Sequence, residues 1–102
     1  MRTRPTAFGW VDYDTSLAPQ WDSAQVSRLA RRLGYEILWT PTSLIPLVDQ
    51  VRAADVDAVI APSTEHIDIL TLNNLMSIVN VEIVLPRLSF SKWGALPPRR
   101  HG

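Results

Sequence analysis

Short apolar runs alternate along the chain with longer segments in which apolar residues recur every three or four positions. The short runs predict strands, because they have the length of buried strands and are bounded by charged, glycine or proline residues. They cover residues 7–11, 35–39, 56–61 and 81–85. Residues 88–93 form either a fifth edge strand or a segment laid over the sheet.

The first helical segment carries signals at both of its ends. Asp22, followed three residues later by Gln25, forms a capping box that predicts a helix beginning at Ser23. Gly34 supplies the left-handed residue that commonly ends a helix. Between these signals the apolar positions have helical spacing: Val26, Leu29, Ala30 and Leu33.

The second helix is predicted to begin at Pro41 with Thr42 or Ser43, and Pro46 is tolerated because it lies in the first turn. Asp55 closes this segment. Its predicted buried face comprises Leu44, Leu47, Val48 and Val51.

The third helix is capped by Ser63, Thr64 or Asp68, and Asn80 ends it. Its main apolar stripe comprises Leu72, Leu75, Met76 and Val79. This stripe predicts a helix packed on the same sheet as the other two.

Strands and helices that alternate at this spacing imply right-handed crossovers and a parallel sheet covered on both faces. The predicted fold class is α/β, a small doubly wound, Rossmann-like and mainly parallel sheet of four to five strands with three helices. A chain of 102 residues can bury one such core. We expect one domain over residues 1–93 and a flexible tail, rich in proline and arginine, over residues 94–102.

Charge and composition narrow the function classes. Ten basic and ten acidic side chains cancel, so no global field attracts the chain to nucleic acid or to an anionic membrane. Without cysteine, disulfides and thiolate metal sites are excluded, which suits a cytoplasmic protein. Asp12 and Asp14 interrupt the first apolar run, so we predict neither a signal peptide nor a membrane span.

The end of the first predicted strand is the main candidate site. Asp12, Asp14 and Ser16 follow this strand directly, and ligands of open α/β sheets bind at the carboxyl ends of the strands. His66 follows the third strand on the same side and is a candidate general base or ligand. The alternative is that the aspartates are solvated loop residues or anions at the start of a helix, and that His66 is a hydrogen-bonding loop residue.

A divalent metal held by carboxylates is the enzymatic alternative. Asp12 and Asp14, joined by Glu65 or Asp68, offer the hard oxygen ligands that Mg²⁺ or Mn²⁺ prefers. The run Asp14-Thr15-Ser16-Leu17 is similar to the end of the first strand in the PIN-domain ribonucleases, which implies a metal-dependent nuclease or hydrolase. Apart from Glu82, this alternative lacks the acidic residues that it needs around the fourth strand.

Three segments have the order and spacing found in a known family. Gly9-Trp10-Val11-Asp12-Tyr13-Asp14-Thr15 ends the first strand, Gly34-Tyr35-Glu36-Ile37 leads into the second, and Ala54-Asp55-Val56-Asp57-Ala58-Val59-Ile60 leads into the third. In these segments the chain resembles the catalytic domain of the serine recombinases, the resolvases and invertases. The resemblance covers about residues 7–85 and implies a resolvase-like α/β fold.

The residues that carry the chemistry of this family are replaced. In the register of the resemblance, the nucleophilic serine falls on Asp14 and the first catalytic arginine on Asp12, and the later arginine segment falls on Ser63-Thr64-Glu65-His66. Phosphodiester exchange needs a hydroxyl nucleophile and guanidinium groups, whereas carboxylates repel the phosphate. We therefore expect a non-catalytic, resolvase-like binding or assembly module with no cofactor.

Apolar surface residues indicate a protein that self-associates and engages a protein partner. Trp21 and Trp93 fall in or beside predicted loops, and exposed tryptophan is typical of contact surfaces. The third helix carries Ile69 outside its main stripe, which predicts a homodimer through this helix. Trp10 and Trp39 lie in predicted strands and are expected in the core.

Three arginines, Arg28, Arg31 and Arg32, lie one turn apart on the first helix, opposite its apolar stripe. They either face phosphates or an acidic partner, or form a solvated face whose charge is favourable near the end of the helix. Any binding of nucleic acid is expected to be weak.

Overall fold

The computed structural model describes residues 4–39 and 44–93. Within them, five strands form one sheet: β1 (Thr6–Gly9), β2 (Glu36–Leu38), β3 (Ala58–Ala61), β4 (Asn80–Ile83) and β5 (Leu88–Phe90). The helices are α1 (Pro19–Leu33), α2 (Leu47–Ala54) and α3 (Ile69–Met76), with a short 3-10 turn at Thr64–His66. The predicted tail, residues 94–102, lies outside the described residues.

The strand order in the sheet is β2-β1-β3-β4-β5. β1, β2, β3 and β4 run parallel, and β5 pairs with β4 in the antiparallel direction as an edge strand. The order therefore reverses between β1 and β3, which is the switch point of a doubly wound sheet. The predicted α/β fold is confirmed, and residues 88–93 contain the fifth strand rather than a segment laid over the sheet.

Apolar side chains on both faces of the sheet hold the helices in place. α2 and α3 pack on one face, where the core contains Phe8, Leu47, Val51, Val59, Leu75 and Val81. α1 packs on the other face, where the core contains Ala7, Val26, Leu29, Ala30, Ala58 and Ile60. All of β3 is buried, as its continuous apolar run predicts.

The start of α1 corrects the sequence prediction. The helix begins at Pro19, one turn before Ser23, and its N-cap residue makes no side-chain hydrogen bond. Proline suits the first turn because its fixed φ is helical and its missing N–H would have no partner there. Asp22 therefore lies in the first turn, and the capping box with Gln25 is wrong. Gly34 ends the helix in the left-handed conformation (φ 85°), as predicted.

α2 and α3 are shorter than the sequence predicts. Residues 41–43, the predicted start of the second helix, lie outside the described residues. α2 begins after Pro46, and Leu44 is exposed rather than part of the buried face. The third helix ends at Met76 and not at Asn80, because Asn80 is already the first residue of β4.

Two of the three cap candidates act on different elements. Ser63 Oγ accepts a hydrogen bond from the Glu65 amide at the start of the 3-10 turn. The Asp68 carboxylate accepts the Thr71 amide (2.9 Å) and the Thr71 hydroxyl (3.0 Å) at the start of α3. These hydrogen bonds, the amide first, lower the pKa of Asp68 because they favour its charged form.

The tryptophans differ in their surroundings. Trp10 is half-buried against the core beneath α2 and α3, whereas Trp39 is 43% exposed, so its predicted place in the core is wrong. The Trp39 ring covers the backbone of Gly9 so closely that a Cβ on Gly9 would lie 2.6 Å from ring carbon Cζ3. Trp21 lies in α1 rather than in a loop, but it is exposed, as is Trp93 after β5.

The β4–β5 hairpin contains a buried carboxylate. Glu82 is 7% exposed, and it accepts hydrogen bonds from Arg87 Nη2 (2.8 Å) and Ser89 Oγ (3.0 Å). Arg87 Nη1 also donates to the carbonyl oxygens of Ile83 and Leu88. The guanidinium therefore balances the buried charge and joins the two strands at their turn.

Candidate functional site at the carboxyl edge

The loops that follow β1 and β3 meet at the switch point of the sheet, at its carboxyl edge. The Trp10 amide donates to the Ile60 carbonyl oxygen (2.9 Å), which extends the pairing of the two strands by one residue. The Trp10 indole Nε1 donates to the carbonyl oxygen of His66 (2.9 Å). The two loops are therefore tied together where doubly wound sheets bind ligands.

His66 is the buried centre of this region. Its Nδ1 accepts a hydrogen bond from the backbone amide of Asp12 (2.8 Å). An amide can only donate, so His66 Nδ1 carries no proton and a neutral ring has its proton on Nε2. Nε2 lies 3.8 Å from Asp22 Oδ2, beyond hydrogen-bond distance. The sequence correctly places His66 beside the loop of Asp12, on the crevice side.

Asp12 shapes the loop that follows β1. Its carboxylate accepts the Asp14 amide (3.0 Å) and the Thr15 hydroxyl (3.1 Å), and its carbonyl oxygen accepts the amides of Thr15 and Ser16. Both carboxylate oxygens are thus engaged in a local turn, a common role of aspartate in loops. The Asp14 side chain is exposed beside this turn.

The Ser16 hydroxyl bonds to Asp22. It donates to Asp22 Oδ2 (2.5 Å) and accepts the amide of Ala18 (3.2 Å), just before α1. Asp22 consequently lies between Ser16 and His66, whereas nucleophilic catalysis needs the base beside the hydroxyl. Asp22 was not predicted as a site residue, because its spacing to Gln25 suggested a helix cap.

A cleft of about 590 Å³ opens beside these residues. Leu17, Trp21 and Leu85 line it and are strongly exposed, and Arg32 and Glu65 contribute opposite charges. A shallower depression shares Trp21 with the cleft and is lined by Tyr13. We refer to the four exposed side chains Tyr13, Leu17, Trp21 and Leu85 as the carboxyl-edge patch. Leu17 lies in a loop outside any apolar pattern. Leu85 was predicted as the last residue of the fourth strand, but β4 ends at Ile83 and Leu85 is exposed.

The predicted metal ligands do not form a metal site in the described part of the chain. No group of three or more histidine, aspartate or glutamate side chains within it is placed to hold a metal ion. Asp12 uses both carboxylate oxygens in its turn, and Glu65 lines the cleft. Asp12 and Asp14 share one turn, but they do not form a three-carboxylate group with Glu65.

The predicted interaction residues are exposed but lie on separate surfaces. Arg28, Arg31 and Arg32 are exposed on α1, and of these only Arg32 lines the carboxyl-edge cleft. Ile69, at the start of α3, is 71% exposed, and Trp93 is 50% exposed. Among the described helices, none has both the length and the apolar character needed to cross a membrane.

Comparison with known proteins gives no further identification. Neither a protein-family model, nor a curated protein, nor a solved structure matches the chain.

Proposed function

We propose that this protein is a non-catalytic, resolvase-like binding and assembly module that engages a protein partner through the carboxyl-edge patch and forms a homodimer through α3. The observation that carries the proposal is the contrast at the carboxyl edge. The Asp12 carboxylate, the Ser16 hydroxyl and Nδ1 of His66 are engaged in hydrogen bonds within the chain, while large apolar side chains beside them are exposed.

The internal hydrogen bonds favour binding over catalysis. A general base needs a free lone pair within reach of its substrate, and the acceptor nitrogen of His66 is occupied by the Asp12 amide. The Ser16 hydroxyl donates to the Asp22 carboxylate and not to His66, so the serine and the histidine do not form a nucleophile–base pair. Asp12 and Asp14, which stand where the resemblance expects arginine and serine, add negative charge that disfavours a phosphate.

The carboxyl-edge patch has the composition of a protein contact surface. Tyrosine and tryptophan combine a large apolar area with a polar tip, and they are enriched where proteins bind each other. Trp21 lines both depressions of the patch, so a partner in either depression contacts it as an anchor.

Self-association is proposed through the start of α3. Ile69 and Leu70 are both 71% exposed, whereas Leu75, further along the same helix, is buried in the core. Two adjacent branched apolar side chains in water are stabilised when a second copy covers them.

Sedimentation velocity over micromolar concentrations tests the homodimer. The wild-type protein should dimerise, and a variant with Ile69→Ser and Leu70→Ser should be monomeric. Leu44→Ser is the matched control, because Leu44 is also fully exposed but lies outside α3. A wild-type protein that stays monomeric at high micromolar concentration, or equal loss in the control, would refute the proposed interface.

Peptide selection tests the carboxyl-edge patch. Peptides selected on the wild-type protein from a random library should shift the amide resonances of Leu17, Trp21 and Leu85, and they should lose affinity for Trp21→Ser. Peptides that instead shift residues of another surface would overturn this part of the proposal.

Metal titration separates the module from the enzymatic alternative. Mg²⁺ should leave the amide resonances of Asp12, Asp14, Glu65 and His66 unchanged, and Mn²⁺ should not broaden them selectively. Changes clustered at these residues would support a metal-dependent hydrolase and overturn the non-catalytic assignment.

A further inference from the structure

A second groove lies on the opposite edge of the sheet, between the end of α1 and the start of β2. Its volume is about 490 Å³, and it shares no lining residue with the carboxyl-edge cleft. We refer to it as the α1–β2 groove, and its lining residues are Arg4, Ser27, Ala30, Arg31, Gly34, Tyr35 and Ile37.

Two arginines give the groove a positive charge. Arg4 and Arg31 line it, and the guanidinium group of neither has a hydrogen-bond or ion-pair partner among the described residues. By contrast, Arg52 pairs with Asp49, and Arg87 pairs with the buried Glu82. The groove thus holds two guanidinium groups whose donors are available to a ligand.

The rest of the lining suits a small phosphorylated molecule. Ser27 and Tyr35 contribute hydroxyl groups, which can donate to phosphate oxygens. Ile37 and the ring of Tyr35, both half-buried, offer apolar surface for an organic group next to the phosphate. A groove of this size lies within the range of small-molecule sites, which is roughly 300–1,000 Å³.

The negative charges near the groove are engaged within the chain or face away from it. The Asp57 carboxylate accepts the amide of Thr6 (2.8 Å), two residues from Arg4. The end of α1 carries the negative pole of the helix dipole, which disfavours an anion. However, the carbonyl oxygens of Ala30 and Arg31 already accept the amides of Tyr35 (2.8 Å) and Gly34 (3.2 Å). Glu36 is the nearest carboxylate along the chain, and strand alternation places it on the face of β2 opposite Ile37.

We propose that the α1–β2 groove binds the phosphate group of a small phosphate monoester, with Arg4 and Arg31 as its principal ligands. Guanidinium groups bind phosphate oxygens in a bidentate manner, with charge-assisted hydrogen bonds. The site is independent of the proposed protein contacts, so it survives if the carboxyl-edge patch or the dimer is refuted.

An NMR titration at constant ionic strength tests this site with inorganic phosphate and phenyl phosphate as probes. Both should cause saturable shifts at Ser27, Arg31, Gly34 and Tyr35, and phenyl phosphate should bind more tightly because its ring contacts the apolar lining. Arg4→Gln and Arg31→Gln should each weaken phenyl phosphate binding by about tenfold, the loss expected for one charge-assisted contact.

Arg52→Gln is the matched control, because it removes the same charge from an exposed position outside the groove. It should leave the affinity unchanged. An equal loss in this control, or shifts that grow linearly without saturation, would show general charge attraction and overturn the proposal. Tighter binding of a duplex oligonucleotide, weakened by Arg28→Gln, would also overturn it in favour of a nucleic-acid surface on α1.

Discussion

Gly9→Ala is expected to displace Trp39 from the sheet. The new methyl group would occupy space within 2.6–2.9 Å of three carbons of the Trp39 ring, and such contacts force the ring to move. The φ of Gly9 is not in the left-handed region, so alanine itself fits the backbone. The cost therefore arises from the lost contacts of Trp39.

The magnitude follows from the burial of Trp39. The residue is 43% exposed, so a little more than half of its surface is buried. A fully buried aromatic side chain removes about 150–250 Å² from water, and tryptophan, as the largest, lies in the upper part of this range, which sets roughly 100–140 Å² for Trp39. At about 25 cal/mol per Å² this area contributes roughly 2.5–3.5 kcal/mol. Replacing a strand glycine returns roughly 0.5–1 kcal/mol, which leaves a net loss of about 2 kcal/mol for Gly9→Ala.

A double-mutant cycle in urea isolates the contact. Trp39→Ala should cost about 2.5–3.5 kcal/mol in the free energy of unfolding. In that background, Gly9→Ala should be neutral or stabilising by about 0.5–1 kcal/mol, because the ring is gone. If Gly9→Ala destabilises the protein equally in both backgrounds, the contact with Trp39 is not the cause and the reasoning fails.

Three further predictions concern buried or capping polar groups. His66→Phe should lower the free energy of unfolding by about 1–3 kcal/mol, because the Asp12 amide is left without its acceptor. His66→Asn keeps an acceptor near the position of Nδ1, so it should recover part of this loss in the same urea assay. Arg87→Met should lower the free energy of unfolding by about 1–3 kcal/mol. This is less than for a fully buried ion pair, because the Arg87 side chain is 40% exposed. Adding Glu82→Gln should restore stability if the buried charge is responsible. Because the pKa of Asp68 is lowered, its stabilising effect on α3 is present above its unfolded pKa and is lost as the pH falls through its folded pKa. Asp68→Ala should therefore flatten the acid side of the profile of stability against pH, measured by circular dichroism. An unchanged profile would contradict this prediction.

Periodicity was sufficient to predict the order of the elements, because each buried face repeats in the sequence. β3 and the buried residues of α1 follow directly from this pattern. Positions that depend on contacts between distant segments were not predictable. Trp39 is a large apolar residue of the kind found in cores, but it directly follows β2, which lies at the edge of the sheet. At this position its ring covers Gly9 and still faces water.

The location of the candidate site was predicted, but the hydrogen bonds within it were not. Strand order brings the loops of Asp12 and His66 together, and the sequence pattern already indicates this neighbourhood. The hydrogen-bond partners within the site depend on the torsion angles of individual side chains and on the start of α1 at Pro19, earlier than predicted. Because of this earlier start, Asp22 lies between Ser16 and His66 rather than at a helix cap. No pattern of apolar residues contains this information.

The antiparallel direction of β5 determines which side of the protein faces a support to which it is attached. β1 begins at Thr6 on the amino edge, and β5, which runs against its neighbour, returns to that edge at Phe90, opposite Val81. A support joined directly next to Thr6 or Phe90 therefore lies on the amino side of the sheet, away from the carboxyl-edge patch. The α1–β2 groove lies on the amino side as well, so immobilised protein is suited to measuring partner binding and protein free in solution to measuring phosphate binding.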